Sequence, residues 1–285
     1  IGFSLILFIQ FIRLRILNEY AYHFYFILLL LLSATYFMPE INNAKRWLVT
    51  PLLTFQPSEI GKIFLILSIA KFLSDRKDNK NQLATVMITL SISCVPAFLV
   101  LMQPDLGTSI IYGLISFPML YWSGIRPYYL FLFIAPVITM LTSYSITLFY
   151  IWMTIIVVVL FLSQPNIRQA STVFAVNIGF GLLSSPAFGV LRPYQRDRLL
   201  ALLDPYKYQD STGYQLIQSW ISIGSGGVSG KGFMQGTQTH GNYLPVKNSD
   251  FIVSVAGEEF GLLGISYILI IFSVLIYWVT QYIGK

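Results

Sequence analysis

Nine apolar runs, at about residues 1–12, 21–38, 58–74, 83–102, 108–123, 127–142, 145–163, 171–191 and 260–283, take up most of this chain. A helix that crosses a bilayer needs about 20 consecutive apolar residues, so runs of this length and number describe a polytopic membrane protein. The runs are continuous and lack the alternation of a β-barrel, and lipid leaves the backbone no other way to satisfy its hydrogen bonds than helices or a closed barrel. The expected fold class is therefore all-α, with about nine spans in a single helical membrane domain over residues 1–285. Composition agrees, because 11% charged residues cannot dress the surface of a soluble domain, where about 25% is usual. The one cysteine, Cys94, can make no internal disulfide. Ile1 opens directly into an apolar run with no basic leader or cleavage site, which is how a piece of a longer protein would begin.

The net charge of +6 does not point to nucleic acid, because the basic residues lie between apolar runs instead of along one polar face. Their distribution predicts orientation. If the first connection is cytoplasmic, that side collects Arg13, Arg15, Lys71, Arg76, Lys77, Lys80, Arg126, Arg168 and Lys285, against Lys45 and Arg46 in the opposite short loops. The C-terminus is then cytoplasmic, and residues 192–250 form one long extracytoplasmic loop, the kind of connection that carries function. At its start, Arg192 and Arg196 precede Leu199, Leu200, Leu202 and Leu203. This reads equally as a helix lying at the membrane interface or as an arginine-flanked helix end.

Five carboxylates fall in or against the outer halves of the expected spans: Glu59, Asp105, Asp250, Glu258 and Glu259. Charge in such places costs at least ~2.5 kcal/mol, so each needs a partner or a task. Glu59 and Lys62 follow Pro57 three residues apart, either as a structural ion pair or as a buried pair lining an outward cavity. Asp105 precedes a span and is placed to cap it through the amide of Gly107 or Thr108. Asp250 also precedes an apolar run; a capping role there would lower its basicity through the helix dipole. Glu258 and Glu259 point about 100° apart on a helix and cannot share one cavity. One of them is expected to meet an arginine of the outer segment.

The stretch from Gly224 to Gly236 is rich in glycine but is not a phosphate loop, since Ser225 and Gly232 stand where such a loop needs glycine and a hydroxyl. Two readings stay open: backbone amides and Lys231 approaching an anion, or a tight turn beside a close helix crossing.

Taken in order, Arg46-Trp47, Phe55-Gln-Pro-Ser-Glu-Ile-Gly-Lys62, Gln103-Pro-Asp-Leu-Gly-Thr108, Pro193-Tyr-Gln-Arg-Asp-Arg198, Gly213-Tyr-Gln-Leu-Ile-Gln-Ser219, Ile223-Gly-Ser-Gly-Gly227 and Asp250-Phe-Ile-Val-Ser-Val-Ala-Gly-Glu-Glu-Phe-Gly261 resemble the SEDS family (shape, elongation, division and sporulation). Gly230-Lys-Gly-Phe-Met-Gln-Gly-Thr-Gln238 is more similar to its elongation branch than to its division branch. The resemblance implies a peptidoglycan glycosyltransferase that polymerises lipid II outside the cytoplasmic membrane, with a class B penicillin-binding transpeptidase as partner. It implies that Asp250 is the essential aspartate, here preceded by Asn248-Ser249 where relatives have His-Thr. It also implies that the first span and the last two of a longer parent lie outside this chain, and that residues 127–170 supply two runs the shorter members lack.

For that chemistry Asp250 would be the base for the attacking sugar hydroxyl, with Arg196, Arg198 and Lys231 holding the diphosphate. Glu59, Lys62 and Asp105 would shape the cavity. No cofactor is implied with certainty; a divalent cation between carboxylates and diphosphate is compatible with the residues, though no ligand spacing indicates one. A transporter that flips lipid II without chemistry would use the same features, and composition does not separate the two.

Overall fold

The computed structural model describes residues 11, 13–40, 45–49, 54–76, 81–143, 145–190, 196–198, 200–201, 204–210, 212–241 and 251–283. Its helices are α1 (Leu14–Glu19), α2 (Ala21–Ala34), α3 (Pro57–Asp75), α4 (Gln82–Met102), α5 (Leu106–Trp122), α6 (Pro127–Thr142), α7 (Ile146–Ser163), α8 (Ile167–Val190), α9 (Thr212–Gly226), α10 (Thr237–His240) and α11 (Ile252–Ile283). A two-stranded antiparallel hairpin, β1 (Leu48–Val49) and β2 (Thr54–Phe55), lies between α2 and α3. The apolar runs from 21–38 to 260–283 all fall in helices; the first run lies almost wholly outside the described residues. Residues 82–102, 146–163 and 252–282 are long and apolar enough to cross a membrane, while residues 21–37, 106–122 and 127–142 are apolar and shorter. The protein is thus an all-α polytopic membrane protein.

The chain divides into two compact units, Ile1–Pro186 and Ala187–Lys285. In the first, Leu28, Leu32, Leu65, Ile69, Val86, Val100, Tyr112 and Leu120 form a buried core among α2 to α5. The approach is close at Gly61, where a methyl group would overlap the side chain of Leu28 and the hydroxyl of Tyr112. Burial in lipid brings little hydrophobic gain between helices, so side-chain hydrogen bonds add the specificity. Tyr112 donates to Ser58 O (2.9 Å), Tyr25 to Ile92 O (2.9 Å), Tyr36 to Leu99 O (2.7 Å) and Gln103 Nε2 to Leu32 O (2.9 Å). The runs at 127–170 join the same unit through a small polar knot. Thr139 Oγ1 donates to Asn177 Oδ1 (2.6 Å) and accepts from Trp152 Nε1 (2.9 Å), tying α6, α7 and α8 together.

The second unit departs from the expected long polar loop. Residues 196–198 and 200–201 are helical, and the 15-residue helix α9 follows. Leu200 and Ala201 are buried in the protein, while Leu199, Leu202 and Leu203 lie outside the described residues. Helix α11 begins at Ile252, eight residues before the expected run, and is broken at Gly261, whose φ of 65° and ψ of −158° lie outside helical space. It is therefore a short segment, 252–260, followed by a long apolar one.

Candidate functional site

The short segment of α11 crosses α9 at contact distance because both sides lack side chains there. A methyl on Gly226 would overlap the carbonyl oxygen of Gly257. Beyond Gly226 the chain turns back and splices into the break of α11. Lys231 N donates to Glu258 O (3.0 Å) and Gly232 N to Glu259 O (3.0 Å), while Leu262 N and Leu263 N donate to Gly227 O (2.9 Å) and Val228 O (3.1 Å). A helix interrupted within an apolar chain must find partners for its freed backbone groups, and the glycine-rich loop supplies them. The close-crossing reading of residues 224–236 is the one realised. The amides of Lys231 and Gly232, offered by the other reading to an anion, are occupied by carbonyls.

Gly230 shows why glycine is needed. Its φ is +78°, and a Cβ would overlap the carbonyl oxygen of Glu259, a backbone atom that cannot step aside. Gly230→Ala is expected to cost about 2–5 kcal/mol, from left-handed strain of about 1–2 and overpacking of about 1–3. Gly224→Ala meets nothing within 4 Å, so it should be neutral or stabilising. Denaturant unfolding of the two variants in detergent checks the difference.

A polar cluster sits at this crossing. Glu258 is fully buried, at 0% side-chain exposure, and Lys231 Nζ lies 2.8 Å from its Oε1. The same oxygen accepts from the backbone amide of Gln238 (2.9 Å) and from Thr237 Oγ1 (3.2 Å), and Oε2 accepts from Ser222 Oγ (3.3 Å). The Lys231 ammonium is also within 2.8 Å of Ser225 Oγ and 2.7 Å of Thr237 Oγ1. Its three protons thus have three internal acceptors, and it stands where α9 and the first segment of α11 both present their negative C-terminal ends. Ser219 Oγ and Ser254 Oγ, 2.6 Å apart, continue the polar seam.

Lys231, expected to offer a point charge to a diphosphate, pairs with Glu258 while its side chain keeps 26% exposure, and this lysine is the basic partner that Glu258 meets among the described residues. Ser219, Ser222 and the Gln238 amide were not singled out, although serines three apart at 219, 222 and 225 mark one face of a helix and would have revealed α9.

In the first unit, Asp105 is the N-cap of α5, with Thr108 N donating to its Oδ1 (3.2 Å). Its other oxygen accepts from Gln56 Nε2 (3.1 Å) and pairs with Arg46 (3.4 Å), so it also fastens the segment around the hairpin. Lys62 and Glu59 form their ion pair at 2.9 Å, but the Glu59 side chain is 57% exposed, so the pair is not buried. Arg196 and Arg198 are exposed in the second unit. Asp250 lies outside the described residues; Phe251, next to it, leads directly into α11. Within each unit, then, Asp105 joins Arg46 and Gln56, Glu59 joins Lys62, and Lys231 joins Glu258.

The second unit, with a broken apolar helix spliced by a glycine loop around a buried ion pair, marks an integral membrane protein that carries a polar site, not a simple anchor. The model of the cell cycle protein family that takes in FtsW, RodA and SpoVE matches residues 1–151 and 127–285, and the chain belongs to this family, the SEDS family. It is 33% identical over 263 residues to the peptidoglycan glycosyltransferase MrdB of Escherichia coli (strain K12), covering 92% of this chain and 60% of the relative. It is 31% identical over 284 residues to a probable peptidoglycan glycosyltransferase FtsW of Geobacter sulfurreducens, covering 97% and 63%. Among solved structures it is similar to a chain from work on the structural coordination of polymerization and crosslinking by a peptidoglycan synthase complex, with a TM-score of 0.58 and 25% identity, covering 96% of this chain and 64% of that one. The chain spans somewhat under two thirds of the length of these relatives.

Proposed function

We propose that the protein of which this chain forms the larger part is a peptidoglycan glycosyltransferase, polymerising lipid II at the outer face of the cytoplasmic membrane during cell elongation. The observation that carries the reading is similarity along nearly the whole chain to relatives named for that activity, with the Asp250 motif running directly into the buried Lys231–Glu258 cluster. In the reaction, the 4-hydroxyl oxygen of the acceptor sugar attacks the donor's anomeric carbon. The bond from that carbon to the phosphate oxygen breaks, the lipid diphosphate leaves with the electron pair, and the hydroxyl proton passes to Asp250. A sugar hydroxyl is a very weak acid, so the proton moves late, as the new bond forms.

With Lys231 engaged by Glu258, gripping the diphosphate falls to Arg196 and Arg198, whose guanidinium groups can each fork two phosphate oxygens. Replacing both by Ala is expected to raise KM for lipid II about tenfold or more in a polymerisation assay, since each charged hydrogen bond is worth about 1.5–3 kcal/mol. An unchanged KM would remove this assignment. Glu59, Lys62 and Asp105 act by holding the outer ends of their helices in this reading. A class B penicillin-binding transpeptidase is the proposed partner, consistent with a solved neighbour described as part of a complex that both polymerises and crosslinks. The charge distribution favours a cytoplasmic C-terminus.

The deciding experiment gives purified full-length protein lipid II in detergent, with and without the transpeptidase. Glycan chains are the expected product. A protein that binds lipid II, makes no chains under either condition, and moves it across liposome membranes would be a flippase instead.

A further inference from the structure

Helix α11 is longer than the hydrocarbon core of a bilayer is thick, and its sequence marks where that core ends. No charged residue stands between Glu259 and Lys285. The part beyond the break, residues 262–282, rises about 31 Å and so by itself matches a hydrocarbon core of about 30 Å. Tyr277, Trp278 and Tyr282, exposed near its far end, are the aromatic residues of one membrane–water interface. The opposite boundary then falls at the break, level with Gly261. The glycine-rich loop is bonded to the helix at that same level. Gly227 O and Val228 O accept the amides of Leu262 and Leu263, and the amides of Lys231 and Gly232 donate to Glu258 O and Glu259 O.

The polarity of the loop is the reverse of that of a loop in water. Its one charged residue, Lys231, pairs with Glu258, whereas Val228 is 64% and Phe233 68% exposed. Phe233 shares this surface with Phe260, the ring centroids 6.2 Å apart. Helix α9 follows the same pattern, since Ser219 and Ser222 bond to α11 while Trp220 and Ile221 are exposed. Ser219 meets Ser254 and Ser222 meets Glu258, so α9 and the first segment of α11 run in the same direction. Trp220, six residues before Gly226, therefore stands about 9 Å on the water side of the crossing, at headgroup depth, where Trp is enriched. We propose that this loop is a membrane anchor: the side chains of Val228, Phe233 and Phe260 enter the acyl chains of the leaflet at the Ile252 end of α11, the outer leaflet by the charge distribution. The loop backbone stays at the headgroup boundary, where its bonds to α11 already satisfy the groups that lipid would leave unpaired. Apolar side chains at such a boundary reach about 5–10 Å into the acyl region. The occupant is bilayer hydrocarbon because the surface continues through Phe260 into Leu262 and Leu263, the first exposed residues of the apolar span. A stretch expected to belong to an aqueous loop thus belongs to the membrane surface, whatever reaction the protein performs.

The test uses the full-length protein with its native cysteines replaced by serine and single cysteines introduced as Val228→Cys, Phe233→Cys, Ile270→Cys or Asp210→Cys. Each carries a nitroxide label, and the protein is reconstituted into vesicles of phosphatidylcholine and phosphatidylglycerol. Collision of the label with oxygen, which concentrates in hydrocarbon, and with a water-soluble nickel chelate is read by electron paramagnetic resonance power saturation. Ile270, exposed in the middle of the span, and Asp210, exposed in the polar part of the second unit, set the two limits. Labels at 228 and 233 are expected to give an oxygen-to-nickel ratio about tenfold or more above that at 210, approaching that at 270. A ratio within about twofold of the 210 label puts the loop in water and overturns the proposal. Low collision with both reagents at both positions overturns it as well, because other protein then covers the surface. Both side chains are exposed, and Val228 lacks the ring contact that Phe233 makes, so the 228 label decides the matter if Phe233→Cys does not fold.

Discussion

Asp250→Asn in the full-length protein is expected to lower the rate of lipid II polymerisation by about 10²–10⁴-fold, the range that a single well-placed general base contributes. Asparagine occupies nearly the same volume and keeps a side-chain oxygen that accepts hydrogen bonds. What it cannot do is take a proton from a sugar hydroxyl. Affinity for lipid II, followed by titration of a fluorescent analogue, should change little, because the loss falls on the transition state and not on ground-state binding. The rate is read from the length and yield of glycan chains on gels. Polymerisation at the parental rate would remove Asp250 as the base.

The largest effect on stability is expected from Lys231→Met alone. It removes the ammonium 2.8 Å from the Glu258 carboxylate, which has no side-chain exposure and sits at the converging C-terminal ends of α9 and the first segment of α11. Breaking a buried pair from one side costs about 3–5 kcal/mol, whereas removing both partners is near neutral. Equilibrium unfolding in detergent of this single variant and of Lys231→Met paired with Glu258→Leu measures this directly. A single variant within about 1 kcal/mol of wild type would mean that Ser222, Thr237 and the Gln238 amide suffice to hold the carboxylate without the lysine.

The helices were legible because each apolar run is long and the bilayer length sets a scale that few other structures match. Asp105 was equally legible, since a carboxylate just ahead of an apolar helix has one obvious local bond to make, and Thr108 makes it. Glu59 and Lys62 were paired correctly from a spacing of three, though their exposure could not be read from spacing. Helix α9 was not legible by the same means. Its buried face carries Ser219 and Ser222, which a search for apolar runs discards as loop, yet those serines are what Ser254 and Glu258 require opposite them.

Residue order along the chain determined that this is an all-α polytopic membrane protein of the SEDS family, because span length, charge bias and motif order are local properties that survive without coordinates. Tertiary structure alone decided that Lys231 pairs with Glu258, 27 residues away. The reason is physical: a lysine's partner is set by which oxygens the fold brings within about 3 Å, and here the break at Gly261 and the return of the glycine loop place a buried carboxylate there.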